Sequence, residues 1–224
     1  VIIMENISIV IPYRYAGGLR EDNFQFVKKY YESLLPESEI VLGLDDGKGD
    51  FKRSHAINNG VKECSNDIIL INDADIFISK ETLNKGIKLL KESPFLIPWG
   101  RCLDLTREKS QELIIHGSPE NINELNKHHW FIRDIRPGST TFIYEKCAGG
   151  LQVISKNFFE EIRGYEELFV KWGYEDTHFC MKVKHHLGDY PLLEDEYCYH
   201  MYHDRSGIGW SDNLELFEQL IKEF

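Results

Sequence analysis

Apolar and polar positions follow two rhythms along this chain of 224 residues. Ile7-Ser8-Ile9-Val10-Ile11 is β-branched, almost continuously apolar and closed by Pro12, so it predicts a strand buried on both faces. After a loop with Gly17 and Gly18, Phe24, Val27, Tyr31 and Leu34 recur at steps of three and four, predicting an amphipathic helix that Pro36 ends. Glu39 to Leu44 reads as a second strand running into Asp45-Asp46-Gly47, residues 54–63 as a short helix, and Ile68 to Asn72 as a third strand ending in Asp73-Ala74-Asp75. Leu83, Ile87 and Leu90 trace a further helix, with Ser79 as its cap. Strands and helices in alternation predict an α/β fold: a Rossmann-like, mostly parallel central sheet with helices on both faces.

From about 104 to 136 the rhythm is lost. The stretch is polar, holds His116, His128 and His129, and reads as a surface excursion or lid. Periodicity returns afterwards. Ser155 can cap a short helix through Phe158, Phe159 and Ile162, and Trp172-Gly173-Tyr174-Glu175-Asp176 opens a helix that runs through Phe179, Cys180, Val183 and Leu187 to Gly188. Residues 197–204 are aromatic and strand-like, and Leu214, Phe217 and Ile221 mark a terminal helix. No Pro/Ser-rich linker divides the chain, so it reads as one domain of 1–224, with halves at 1–103 and 145–224 around a variable segment at 104–144.

With 42% hydrophobic and 28% charged residues, the composition is that of an ordinary globular protein and excludes collagen-like and largely disordered classes. A net charge of −11 speaks against a broad electrostatic grip on nucleic acid or an anionic membrane. The five cysteines form no CxxC and cannot all pair, which points to reduced thiols and a cytoplasmic setting. No apolar run reaches about 20 residues, so no membrane span or secretion signal is expected.

In an open α/β sheet, ligands bind beyond the carboxyl ends of the strands. Polar residues stand at three such ends: Pro12-Tyr13-Arg14, Asp45-Asp46, and Asp73-Ala74-Asp75. Two carboxylates one residue apart can share a divalent cation, or one can hold the metal while the other takes a ribose hydroxyl. A bridging Mg²⁺ or Mn²⁺ would reconcile these acids with a nucleotide diphosphate, and Arg14 or Arg53 could neutralise the remaining charge. Asp-x-Asp alone reads more readily as a solvated turn; its place after a buried strand reverses that. Glu175 and Asp176 open a helix, where acids also serve as caps, but the Trp-Gly before them offers a flat apolar face for a sugar ring. His200 and His203 would face opposite sides of a flat strand, so both reach one metal only if the chain turns there.

The order of these blocks resembles that of GT-A-fold glycosyltransferases of family 2, and especially the catalytic domain of β-1,4-galactosyltransferases. Ile9-Val10-Ile11-Pro12-Tyr13-Arg14 is similar to the family's first strand and nucleotide loop. Phe51-Lys52-Arg53-Ser54-His55-Ala56-Ile57-Asn58-Asn59-Gly60 resembles its Phe-x-Arg-Ala…Asn-x-Gly block. Asp73-Ala74-Asp75 stands at its Asp-x-Asp, and Gly149-Gly150 through Trp172-Gly173-Tyr174-Glu175-Asp176 at its Gly-Gly…Trp-Gly-Gly-Glu-Asp block. The resemblance covers roughly residues 7–103 and 145–210.

It implies a metal-dependent transferase moving a sugar from a UDP-sugar to the hydroxyl of a glycan or other acceptor, with inversion. Pro12, Tyr13, Arg14, Asp45, Phe51, Arg53, Asp73, Gly150 and Trp172 would serve the donor, and Asp75, His200 and His203 the Mn²⁺ or Mg²⁺. Asp176 would be the base, and Glu175 would assist at the sugar. Tyr174 departs from the family's glycine and would crowd or reshape the sugar pocket. Three other readings start from the same residues: a retaining N-acetylgalactosaminyltransferase-like enzyme, a sugar-1-phosphate nucleotidyltransferase, and a sugar-binding module without turnover.

Overall fold

The computed structural model describes residues 7–117, 129–137, 146–171, 173–204 and 210–224. Its centre is a five-stranded sheet in the order β2-β1-β3-β8-β5, formed by β1 (Ile7–Tyr13), β2 (Glu39–Leu44), β3 (Ile68–Asn72), β5 (Phe95–Leu96) and β8 (Leu151–Ser155). β1 pairs in parallel with β2 and with β3, while β8 is antiparallel to both of its neighbours, so one strand of the five is reversed. Every residue of β3 is buried, as are Ile7 to Pro12 of β1, which is why these strands read as nearly continuous apolar runs.

Helix α1 (Gly18–Leu34) buries Phe24, Val27, Tyr30 and Tyr31, and its start precedes the visible period because its first turn is polar. α2 (Arg53–Glu63) lies against β1 and β2. A Cβ at Gly43 would stand 2.2 Å from the carbonyl oxygen of Ala56, so glycine is what lets the helix backbone approach β2. Serine hydroxyls cap two helices as the spacing predicts: Ser79 accepts from the Thr82 amide at the head of α3 (Lys80–Leu89), and Ser155 from that of Phe158 at the head of α5 (Lys156–Glu161). α6 (Glu175–Leu187) and α7 (Trp210–Leu220) complete the helices of the last third. No helix among the described residues is long and apolar enough to cross a membrane.

The reading of residues 104–136 as a surface excursion needs correction. A second sheet, ordered β4-β9-β6-β7, is made of β4 (Ile76–Ile78), β6 (Arg101–Leu105), β7 (His129–Asp134) and β9 (Tyr197–His200), and α4 (Arg107–His116) follows β6. Leu103, Asp104 and Leu105 are buried. The segment hid because its strands are short and β7 is half-exposed, with Phe131 and Ile132 open to solvent. His128 lies outside the described residues. This sheet carries His200 to the turn that follows β3.

Candidate active site

Arg53, in the first turn of α2, is buried and forms the hub of the site. Its Nε donates to Asp73 Oδ1 at 2.8 Å, its Nη1 donates to Asp176 Oδ1 at 2.7 Å, and Glu175 Oε1 lies 3.9 Å from Nη1. Nη2 is 2.7 Å from the same Asp73 oxygen, off the line of its own N–H bonds. One guanidinium thus gathers three carboxyls delivered by the end of β3 and the start of α6. Burial pushes the Asp73 carboxyl up to about 6, with Arg53 pulling it down and Asp176 and Asp75 pushing it further up. Burial likewise lifts Glu175 to about 7, with Asp176 adding to the rise and Arg53 opposing it. Glu175 is turned inward, accepting from the Gly173 amide at 2.8 Å.

Asp176 is placed from three sides. Its Oδ1 takes Arg53 and, at 3.0 Å, the Tyr165 hydroxyl, which also lies 2.7 Å from Gln152 Oε1. Its carboxyl rests on Gly149, where a Cβ would come within 1.8 Å of Oδ2. Asp176 Oδ2 has no hydrogen bond among the described residues, and the side chain keeps one-fifth of its surface in solvent. Gly150 follows with φ +84°, and its carbonyl accepts from the Asp73 amide at 2.7 Å.

The Asp73-Ala74-Asp75 turn is braced from below. Tyr31 of α1 donates to the Asn72 side chain at 2.8 Å, and that side chain donates to the carbonyls of Asp73 and Ile76 at 2.7 and 2.8 Å. Asp75 faces two imidazoles: His203 Nε2 lies 3.2 Å from its Oδ2 and His200 Nε2 3.7 Å from its Oδ1. The chain does turn here, for β9 ends at His200 and the Met201 amide donates to the Asp75 carbonyl at 2.8 Å. One ligand atom from each of the three residues falls within 4.8 Å of the others, the one such group among the described residues. One carboxylate oxygen and two imidazole nitrogens form a set that suits Mn²⁺ and other first-row divalent ions, so the residues fit the metal their pattern implies. Burial and the neighbouring Asp75 act oppositely on the two rings. Burial dominates at His203, whose pKa falls, whereas at His200 the carboxylates of Asp75 and Asp104 outweigh burial and raise it.

Arg14, Asp45 and Phe51 assemble beside this centre. Arg14 pairs with Asp45, donates to the Gly49 carbonyl at 2.7 Å, and stands 5.5 Å over the Phe51 ring. Asp45 also accepts from the Lys52 amide at 3.1 Å, coupling this loop to the head of α2 and so to Arg53. Hydrogen bonds from Arg14, Gly47 and Lys52 hold the Asp45 carboxyl below its ordinary range against a burial effect that would raise it. Pro12 is buried in β1, and Tyr13 turns its hydroxyl to Glu21 at 2.9 Å and its ring to Phe24. Trp172 lies outside the described residues. Tyr174 adopts the left-handed conformation that glycine favours, φ 68°, and stacks its ring on Phe217 of α7 at 4.9 Å. Asn213 of α7 donates to the carbonyls of Val170 and Gly173 at 3.0 and 2.9 Å, holding both ends of the loop before α6.

Tyr165, Gln152, Asp104 and Asn213 were not visible as site residues in the sequence. For Tyr165 a signal existed in Asn58, whose side chain accepts from the Tyr165 amide and donates to its carbonyl, both at 2.9 Å. Asp104 sits in the stretch without period, and no spacing rule connects it to His200.

Comparisons with known proteins bear on this geometry. The model of glycosyl transferase family 2 matches residues 25–159, and that of the N-terminal domain of galactosyltransferase matches residues 131–204. No curated protein matches the chain by sequence. Among solved structures, the catalytic domain of Drosophila β-1,4-galactosyltransferase 7 in complex with xylobiose is similar at a TM-score of 0.53 and 16% identity, over 93% of this chain and 79% of that one. A mutant of the same enzyme, in complex with manganese, UDP-Gal and xylobiose, gives a TM-score of 0.53 and 15% identity over the same 93% and 79%. GalNAc-T7 with UDP, GalNAc and Mn²⁺ gives a TM-score of 0.59 and 12% identity over 99% of this chain and 48% of that one, so this chain spans about half its length. At such identities the likeness establishes a shared GT-A fold and no more.

Proposed function

The chain belongs to glycosyl transferase family 2, and from that premise we propose that it transfers a sugar from a UDP-sugar to an acceptor hydroxyl, with a divalent cation and with inversion at the anomeric carbon. The observation that carries this reading is the convergence of Asp176, Asp73 and Glu175 on Arg53 beside the Asp75, His200 and His203 cluster. Mn²⁺ held by Asp75, His200 and His203 would neutralise charge on the departing diphosphate. In this reading Arg53 and the Arg14 and Phe51 cluster would serve the donor, since they assemble beside the carboxylates.

Asp176 is the base in this reading. Its Oδ1 is occupied by Arg53 and Tyr165, which fix the carboxyl and leave Oδ2 for the acceptor's proton. The acceptor oxygen bonds to the anomeric carbon, the bond from that carbon to the phosphate oxygen breaks, UDP departs, and the proton passes to Asp176. Asp176→Asn keeps the shape and removes the proton acceptor. We expect donor and Mn²⁺ affinity within a few-fold of wild type and turnover lower by ~10²–10⁴. The product should have the anomeric configuration opposite to the donor's. Near-normal turnover in the Asn variant removes the base assignment, and a product that NMR shows to retain configuration favours the retaining mechanism.

A further inference from the structure

Behind the metal cluster lies a carboxylate to which the reaction assigns no part. Asp104, almost wholly buried on β6, accepts a hydrogen bond from His200 Nδ1 at 2.6 Å on the same oxygen that Arg133 Nη2 reaches at 2.9 Å. We infer that Asp104 is a positioning residue for His200, holding its imidazole with the Nε2 lone pair toward Asp75 so that the ring is prepared for a cation; this rests on the metal-dependent reading above.

The placement is written into the second sheet. β6 and β9 run parallel with Asp104 and His200 as register partners, while β7 runs antiparallel to β6 and sets Arg133 opposite Cys102. A slip by one residue would send every side chain to the other face and separate the pair. Arg133 also donates to Cys102 Sγ at 3.0 Å, so its guanidinium is itself fixed. The chemistry then leaves little freedom. A carboxylate held by an arginine accepts and does not donate, so the proton of a neutral His200 must sit on Nδ1. Nε2 is left bare and faces Asp75 Oδ1 at 3.7 Å. A lone pair turned toward a carboxylate is repulsive without a cation between them. An outer carboxylate of this kind fixes tautomer and ring orientation and raises the basicity of the ligating nitrogen.

A double-mutant cycle on the full chain, read by Mn²⁺ titration calorimetry, tests the inference. Asp104→Asn should weaken Mn²⁺ binding by ~10–100-fold in the wild-type background and by less than about two-fold once His200→Ala has removed the ring it acts through. An equal loss in both backgrounds, or none in either, overturns the positioning role, because a purely structural carboxylate has no reason to act through His200. Should wild type itself bind no Mn²⁺, the metal site of the proposed function falls and takes this inference with it, an outcome separate from failure of the cycle. If Asp104→Asn does not fold, ¹⁵N NMR of the wild-type imidazoles at pH 9 without metal decides. A protonated Nδ1 and a bare Nε2 on His200 support the inference, and the opposite tautomer or a doubly protonated ring overturns it.

Discussion

Gly149 illustrates how little space the site leaves at single positions. In Gly149→Ala the new methyl would stand 1.8 Å from Asp176 Oδ2, and because Arg53 and Tyr165 hold Oδ1, the carboxyl must rotate or move away. A displacement of about 1 Å at a reacting group can cost ~10²-fold. Turnover in Gly149→Ala should therefore fall by that order while far-UV dichroism remains native. Arg53→Met tests the hub itself. Removing the guanidinium strands Asp73, Glu175 and Asp176 in a buried space, and breaking such a group destabilises by ~3–5 kcal/mol. Urea unfolding should show a larger loss at pH 8 than at pH 5, because Asp73 and Glu175, raised by burial and held down by Arg53 in wild type, rise further without it and take up protons as pH falls, relieving the uncompensated charge.

At the scale of elements, α6 carries two buried groups whose titrations oppose each other. Glu175, raised to about 7 by burial and Asp176, holds its proton in the folded state after the unfolded chain has released it. Its contribution is present below about 4.5 and is lost as pH rises to about 7. His178, lowered to about 4 by burial with Lys182 adding to it, stays neutral where the unfolded chain binds a proton, so its contribution is present above about 6.5 and is lost as pH falls to about 4. Glu175→Gln should thus gain on wild type as pH rises from 4.5 to 7, and His178→Phe should gain as pH falls from 6.5 to 4. Chemical denaturation across that range checks both signs. Elements differed in how much of them could be read from sequence. β3 matches its apolar run to the residue, because a strand covered on both faces has no solvent side to interrupt it, and β2 matches its own run although it is an edge strand with Leu42 and Leu44 open to solvent. β6 and β7 escaped, since each is too short to show a period and β7 is half-exposed.

For the molecule as a whole, the charge distribution makes a testable statement. Asp73, Glu175 and Asp176 share Arg53 as their cation, while Asp75, whose charge adds to the rise of Asp73, faces His200 and His203, so a bound divalent ion would relieve repulsion in the folded state alone. Mn²⁺ at 100 times its dissociation constant should then stabilise the protein by about 2.7 kcal/mol, seen as a rise in the thermal midpoint that chelation reverses. Asp75→Ala should abolish that rise. A midpoint indifferent to Mn²⁺ in wild type would refute the metal site.

The sequence by itself determined the first three strands of the central sheet, the serine caps and the order of the site blocks, since each depends on neighbours within a few residues. It also marked Arg53, Asp73, Asp75, Asp176, His200 and His203 as chemistry-bearing. Only the tertiary structure decided which of them meet. Arg53 and Asp176 are 123 positions apart and Asp104 and His200 are 96 apart, and neither distance has a period. Their contacts follow from strand register and from how α2 and α6 seat against the sheets. Local rules of hydrophobic spacing and capping act along the chain, whereas the site is made across it, by packing that brings buried charges together only where each finds a partner.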